Sequence, residues 1–209
     1  MITIGGRKMN HKVNSVQSLY DDSVSLYNGV VNGTAVNLIN DLNQGIENLK
    51  NTWQGKDAGV QIQNVVNVHN SLVGIRNALG QIAVDCSKIA SNYREIQNAN
   101  GAGLEAFGPI ACEAMSTLAA YSDDRDTVSI TAEANNGKAK IDNAVNTIDE
   151  FISKARNSYD AIMNNWTAGS GRDNAISVFE QFFNTANQYK QTLSEVSQSI
   201  ATAIQNYTF

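Results

Sequence analysis

The stretches Leu49-Lys-Asn-Thr-Trp53-Gln-Gly55-Lys-Asp-Ala58 and Ile162-Met-Asn-Asn-Trp166-Thr-Ala-Gly169 decide how this chain is read. Each tryptophan closes a long amphipathic run, each is followed within three residues by a glycine, and after each a second amphipathic run begins. These are the only two tryptophans in 209 residues. Glycine after the last apolar residue is a helix stop signal, because a left-handed cap residue is tolerated there without a Cβ. The chain therefore reads as helix, tryptophan corner, helix, written twice.

Outward from the first corner, an apolar stripe runs back from Trp53 through Leu49, Ile46, Leu42, Leu38, Ala35, Val31, Tyr27, Val24 and Tyr20 to Val16. Its 4-4-3 steps give a period of about 3.67, close to a straight helix. Gly29, Gly33 and Gly45 weaken that helix by about 1 kcal/mol each, and a kink is expected near 29–34. Leu19, Leu26, Val30 and Ile39 lie outside the stripe. They imply either packing on two sides or an exposed apolar patch kept for a partner. After the corner, with Asp57 as expected N-cap, Val65, Val68, Leu72, Ile75, Leu79, Ile82, Cys86, Ile89, Tyr93 and Ile96 follow 3-4 spacing. That is a coiled-coil-like seam.

The run Asn98–Gly103 is the strongest break. Three segments follow from it: a first hairpin over 1–100, a linker over 101–127, and a second hairpin over 128–209. In the linker, Pro109 is expected to open a short helix carrying Ile110, Ala114, Met115 and Leu118, and Asp123, Asp124 and Asp126 are expected in a solvated loop. In the second hairpin, seams from Ile141 to Trp166 and from Ala175 to Tyr207 flank the corner at Trp166 and Gly169. Helices of about 35–45 residues span about 50–65 Å. The expected fold is all-α: two long antiparallel hairpins forming an elongated four-helix bundle.

The long-helix reading agrees with composition: one proline, 42% apolar residues, and net charge −5. Residues 1–100 carry 8 Lys+Arg against 7 Asp+Glu, and residues 101–209 carry 7 against 13. With no basic patch, nucleic acid is not an expected partner. No run approaches the roughly 20 apolar residues of a membrane span, and the opening MITIGGRKMN lacks the apolar region of a signal peptide. Cys86 and Cys112 have no metal spacing and read as buried thiols, with a disulfide between them the alternative. His11 and His69 have no ligand at metal spacing, and the aspartates lack the glycine and terminal glutamate of an EF-hand loop. No catalytic constellation, cofactor site or metal site converges, so no enzyme is expected.

The Trp53-Gln54-Gly55 corner between long striped helices resembles the Trp-X-Gly (WXG) family of bacterial type VII secretion substrates and partners. The second corner is one residue longer. Family members pair as hairpins into a four-helix bundle, so the resemblance implies a tandem fusion, as a monomeric pseudo-heterodimer or a homodimer. It implies a non-enzymatic interaction protein whose partners are the type VII machinery or a helical effector, secreted without a cleaved signal peptide. The alternatives are a cytoplasmic targeting chaperone for a secreted toxin and, in another class, a helical pore-forming or translocator protein. Trp53, Gly55, Trp166 and Gly169 are the corner residues that the resemblance marks for recognition, and Leu19, Leu26, Val30 and Ile39 the candidate partner-facing ones. The family's Tyr-x-x-x-Asp/Glu export signal matches none of the seven tyrosines.

Overall fold

A computed structural model describes residues 11–207 throughout and, of the first ten, the backbone of residues 3, 4, 7 and 8. The chain is an all-α bundle of two antiparallel hairpins. In order, the elements are β1 (Thr3–Ile4), β2 (Arg7–Lys8), β3 (Lys12–Val13), α1 (Val16–Ser25), a π-helical segment (Leu26–Thr34), α2 (Ala35–Thr52), β4 (Trp53–Gln54) and α3 (Lys56–Ala99). Then come β5 (Ser129–Ile130), α4 (Ala134–Asn165), β6 (Trp166–Ala168) and α5 (Arg172–Tyr207).

The kink expected near 29–34 is a π-helical stretch. Gly33 permits it: a Cβ there would stand 2.9 Å from the Asn28 carbonyl oxygen, five residues back. A wider turn shifts the buried face along the helix. As far as Val30, inside this stretch, the buried residues are Leu19, Ser23, Leu26 and Val30, while Tyr20, Val24 and Tyr27 of the sequence stripe are only half-buried. From Val31 onward, Val31, Ala35, Leu38, Leu42, Ile46 and Leu49 are buried as the stripe requires. The partner-facing role expected for Leu19, Leu26, Val30 and Ile39 is thereby corrected. They are 0–2% exposed and belong to the core, each contributing about 1.5–3 kcal/mol of burial.

The described chain forms two compact units that do not coincide with the hairpins. One comprises residues 1–33, 77–114 and 153–182, the other 34–76, 115–152 and 183–209. Each holds a length of both hairpins. In the first, Leu19, Leu26, Leu79, Cys86, Phe179 and Phe182 are fully buried, and Tyr159 meets Phe179 edge-on at 5.3 Å. In the second, Leu38, Leu42, Ile46, Ile62, Leu72, Ile148, Phe151 and Leu193 are. Helix direction there is written in polar pairs. Asp41 takes Lys140 at 3.0 Å and Asn48 takes the Gly137 N–H at 2.9 Å, so α2 and α4 run oppositely. Asp149–Lys190 and Asp142–Ser197, both 2.5 Å, set α4 against α5 in the same way.

Residues 102–125 contain no helix, so the short helix expected to open at Pro109 does not form. The segment is an extended strap. Its half-buried residues Phe107, Ile110, Cys112, Met115, Leu118 and Tyr121 recur at steps of two or three, the repeat of an extended chain rather than of a helix. Unpaired backbone beside a protein surface needs partners, and side chains of α1, the π-helical segment and α3 supply them. In the first unit Asn98 bonds both the N–H and the carbonyl of Leu104, at 2.7 and 2.8 Å. Tyr20 donates to the Gly108 carbonyl at 3.0 Å and Tyr27 to that of Ala111 at 2.5 Å. In the second, Asn70 bonds the Leu118 N–H and carbonyl at 2.7 and 2.9 Å, and Gln63 accepts the Tyr121 N–H at 2.5 Å. Tyr20 and Tyr27, which the sequence places in the apolar stripe, are thus strap ligands. Their half-burial follows from the shifted face of α1.

Candidate functional site: the two tryptophan corners

Both corners are closed by short antiparallel strand pairs. At the first, Trp53 faces Ile130 and Gln54 faces Ser129. The Thr131 N–H continues the pairing onto the Thr52 carbonyl at 2.9 Å. At the second, Lys12 faces Ala168 and Val13 faces Trp166, with an irregularity between the two. The Asn14 N–H reaches the Asn165 carbonyl at 2.9 Å, and Asn14 Nδ2 the Asn164 carbonyl at 2.8 Å. The pairing is reciprocal. β3, which leads into the first hairpin, closes the corner of the second, and β5, which leads into the second hairpin, closes the corner of the first.

Gly55 and Gly169 adopt φ of +110° and +143°, where L side chains are strained. Space excludes them as well. A Cβ on Gly55 would stand 3.0 Å from the Thr127 carbonyl oxygen, and one on Gly169 would fall on the His11 ring. That ring lies 5.8 Å from Trp166, tilted by 57°.

Trp53 is 2% exposed and Trp166 1%. Neither indole N–H has an acceptor. Each ring is an apolar plug under its corner and not a displayed surface. The first corner is the more elaborate. α3 begins at Lys56, ahead of the expected N-cap Asp57, which sits inside its first turn. The Gly55 N–H is instead taken by Asp123 Oδ2 at 3.0 Å.

Asp123, expected in a solvated loop, is 8% exposed. Arg125 holds its carboxylate through Nε at 2.7 Å and Nη2 at 2.5 Å. That guanidinium first, and then the Gly55 N–H, keep the Asp123 carboxyl well below the usual carboxylate range. Lys56 pairs with Asp126 at 2.5 Å and donates its N–H to the Arg125 carbonyl at 3.2 Å.

Beside this corner, Trp53, Asp57 and Gln61 face Glu195, Gln198 and Tyr207 of α5 across a groove of about 550 Å³. Tyr207 is 49% exposed. Trp53 and Gly55 lie in the second compact unit, Trp166 and Gly169 in the first.

The remaining reactive groups stand apart. Cys86 is buried and Cys112 half-buried, both as free thiols, so the alternative disulfide is not formed. Burial, then Asp85 and Asp22, push the Cys86 thiol up to about 12. His69 is buried with Nδ1 3.0 Å from Asn70 Oδ1, and burial lowers its pKa. Among the described residues no group of three His, Cys, Asp or Glu side chains could hold a metal ion, and no helix is long and apolar enough to cross a membrane. Comparison of the chain with protein-family models, curated proteins and solved structures finds no match.

The two tryptophan corners and their glycines follow from sequence. The strand pairs that close the corners do not, because two-residue strands are too short to leave a period-two pattern. Asp123 carries no local signal either, since its partner Gly55 is 68 residues distant.

Proposed function

We propose that this chain is a non-enzymatic helical interaction protein of a bacterial type VII secretion system, exported as a substrate or acting as a partner of one. The observation that carries the reading is the reciprocal closure of the corners. Each hairpin lends its lead-in strand to the tryptophan corner of the other, as two cooperating hairpins of a Trp-X-Gly pair would if joined in one chain. The groove beside Trp53 adds to it. There the corner and the last turns of α5 come together, the two places where the family carries recognition elements. Tyr207 is exposed in that groove.

A pore-forming role is disfavoured. Its only candidate insertion segment, 104–120, is an extended strap clamped to α1 and α3.

The test is export from the native host. The protein should accumulate in culture supernatant and vanish from it when the secretion ATPase is deleted. Unchanged appearance without that ATPase overturns the assignment. Retention in the cytoplasm in stable complex with a larger secreted protein identifies the chaperone role instead.

A further inference from the structure

At the end of α3 in the first unit lies a cavity of about 950 Å³, lined among others by Ser15, Gln17, Arg94, Gln97, Asn100 and Leu104. Arg94 is its only charged lining residue, and it is 8% exposed. Its guanidinium carbon sits 4.1 Å over the Phe107 ring. Nη1 donates to the Glu105 carbonyl at 3.2 Å and Nη2 to Gln17 Oε1 at 2.7 Å. Both acceptors are neutral, and among the described residues no carboxylate pairs with Arg94. Nε has no partner at all. One helical turn on, Gln97 Oε1 is a buried acceptor that is also unpartnered, and residues three apart on a helix are surface neighbours.

A buried cation bonded only to neutral groups is costly, and a carboxylate is the group that relieves it best. The Nε–Nη2 edge of a guanidinium matches the two oxygens of a carboxylate. Half of that edge is vacant and the other half is held by Gln17. The Gln17 side chain is exposed and, besides Arg94, is anchored to Asp21 of its own helix at 2.9 Å, so it can swing away. An unpartnered donor beside an unpartnered acceptor calls for a ligand that offers an anion and an N–H together. The last residue of a peptide does so, and a bare carboxylate ion does not. A volume of this size suits several residues.

We propose that this cavity binds the C-terminal end of an extended peptide from a partner protein. Its carboxylate displaces Gln17 Oε1 and takes Arg94 Nε and Nη2 as a fork, while the N–H of its last residue donates to Gln97 Oε1. The assignment does not depend on the secretion reading.

The probes are acetyl-tetraalanine with a free C-terminal carboxylate, the same peptide as its C-terminal amide, and acetate, each titrated at millimolar concentration into the full chain and followed by NMR on the Arg94 Nε–H. The free acid alone should move that resonance in a saturable way. Gln17→Ala should tighten binding several-fold by removing the internal competitor. Arg94→Gln, followed on the Leu104 backbone N–H because the Nε–H is gone, should weaken it about tenfold or more, since hydrogen bonds to charged groups are the strong ones. Because Arg94 is buried and its loss can unsettle the fold, Gln97→Leu is the companion variant, and it should reduce the free acid to the level of acetate. Equal binding of acid and amide, equal binding of acid and acetate to the unaltered chain, or no movement of the Nε–H with the free acid overturns the proposal.

Discussion

Asp123 Oδ2 accepts the Gly55 N–H at 3.0 Å and so caps, from the strap, the helix that opens at Lys56. A carboxylate at a helix N-terminus is favoured by the macrodipole, and Arg125 fixes its orientation. The folded-state pKa of Asp123 is lowered, so the stabilisation is fully present above the unfolded value near 4 and fades as pH falls below it. Asp123→Asn should lower the urea midpoint at neutral pH. It should also flatten the loss of stability between about pH 4 and pH 2. An unaltered acid limb in the variant would show that other carboxylates govern it.

The tryptophans separate volume from hydrogen bonding. Trp53→Ala and Trp166→Ala should each cost about 3–5 kcal/mol of unfolding free energy. The phenylalanine variants should cost much less than half of that, because neither indole N–H has an acceptor to lose. Denaturant titrations of the four variants give the comparison directly, and a phenylalanine penalty as large as the alanine one would mean that the indole N–H is bonded after all.

Asn70 and Asn98 clamp the strap through both atoms of their amides. Asn70→Ala should cost about 1–2 kcal/mol and raise amide hydrogen exchange around Leu118, leaving Leu104 unaffected. Asn98→Ala should do the reverse. Uniform exchange along the strap in either variant would mean that the strap opens as one piece.

Gly80 tests the strap's seat from beneath. In a helix interior Gly→Ala normally gains about 1 kcal/mol, but a Cβ on Gly80 would land on Cys112 Sγ. Gly80→Ala should therefore destabilise by about 1–2 kcal/mol. In a Cys112→Ala background the same change should turn neutral or favourable, a coupling that a double-mutant cycle measures.

Thiol chemistry should split the two cysteines. With its pKa near 12, Cys86 carries almost no thiolate at neutral pH, whereas Cys112 is half-buried on the strap. A thiol-reactive disulfide reagent should titrate one cysteine in the native protein and two after unfolding. Two fast equivalents in the native state would contradict the burial of Cys86.

The long helices and both tryptophan corners are legible in the sequence, because apolar periodicity and a glycine stop record local backbone geometry. Even the disturbance of the first helix shows in Gly29 and Gly33. That a π turn would move the buried face from Tyr20 and Tyr27 to Leu19, Leu26 and Val30 does not show, since the apolar residues of α1 lie on both faces and the sequence does not rank them. The extended strap is not legible in sequence, because Ile110, Met115 and Leu118 also fit a short helical stripe. The side chains of Tyr20, Tyr27, Gln63 and Asn70, distant in sequence, hold it extended. The sequence by itself thus determined which segments are helical and where they turn. The tertiary structure alone decided what closes each corner, what caps α3 and where the strap lies, because those partners are joined by hydrogen bonds across 48 to 155 residues and leave no local pattern.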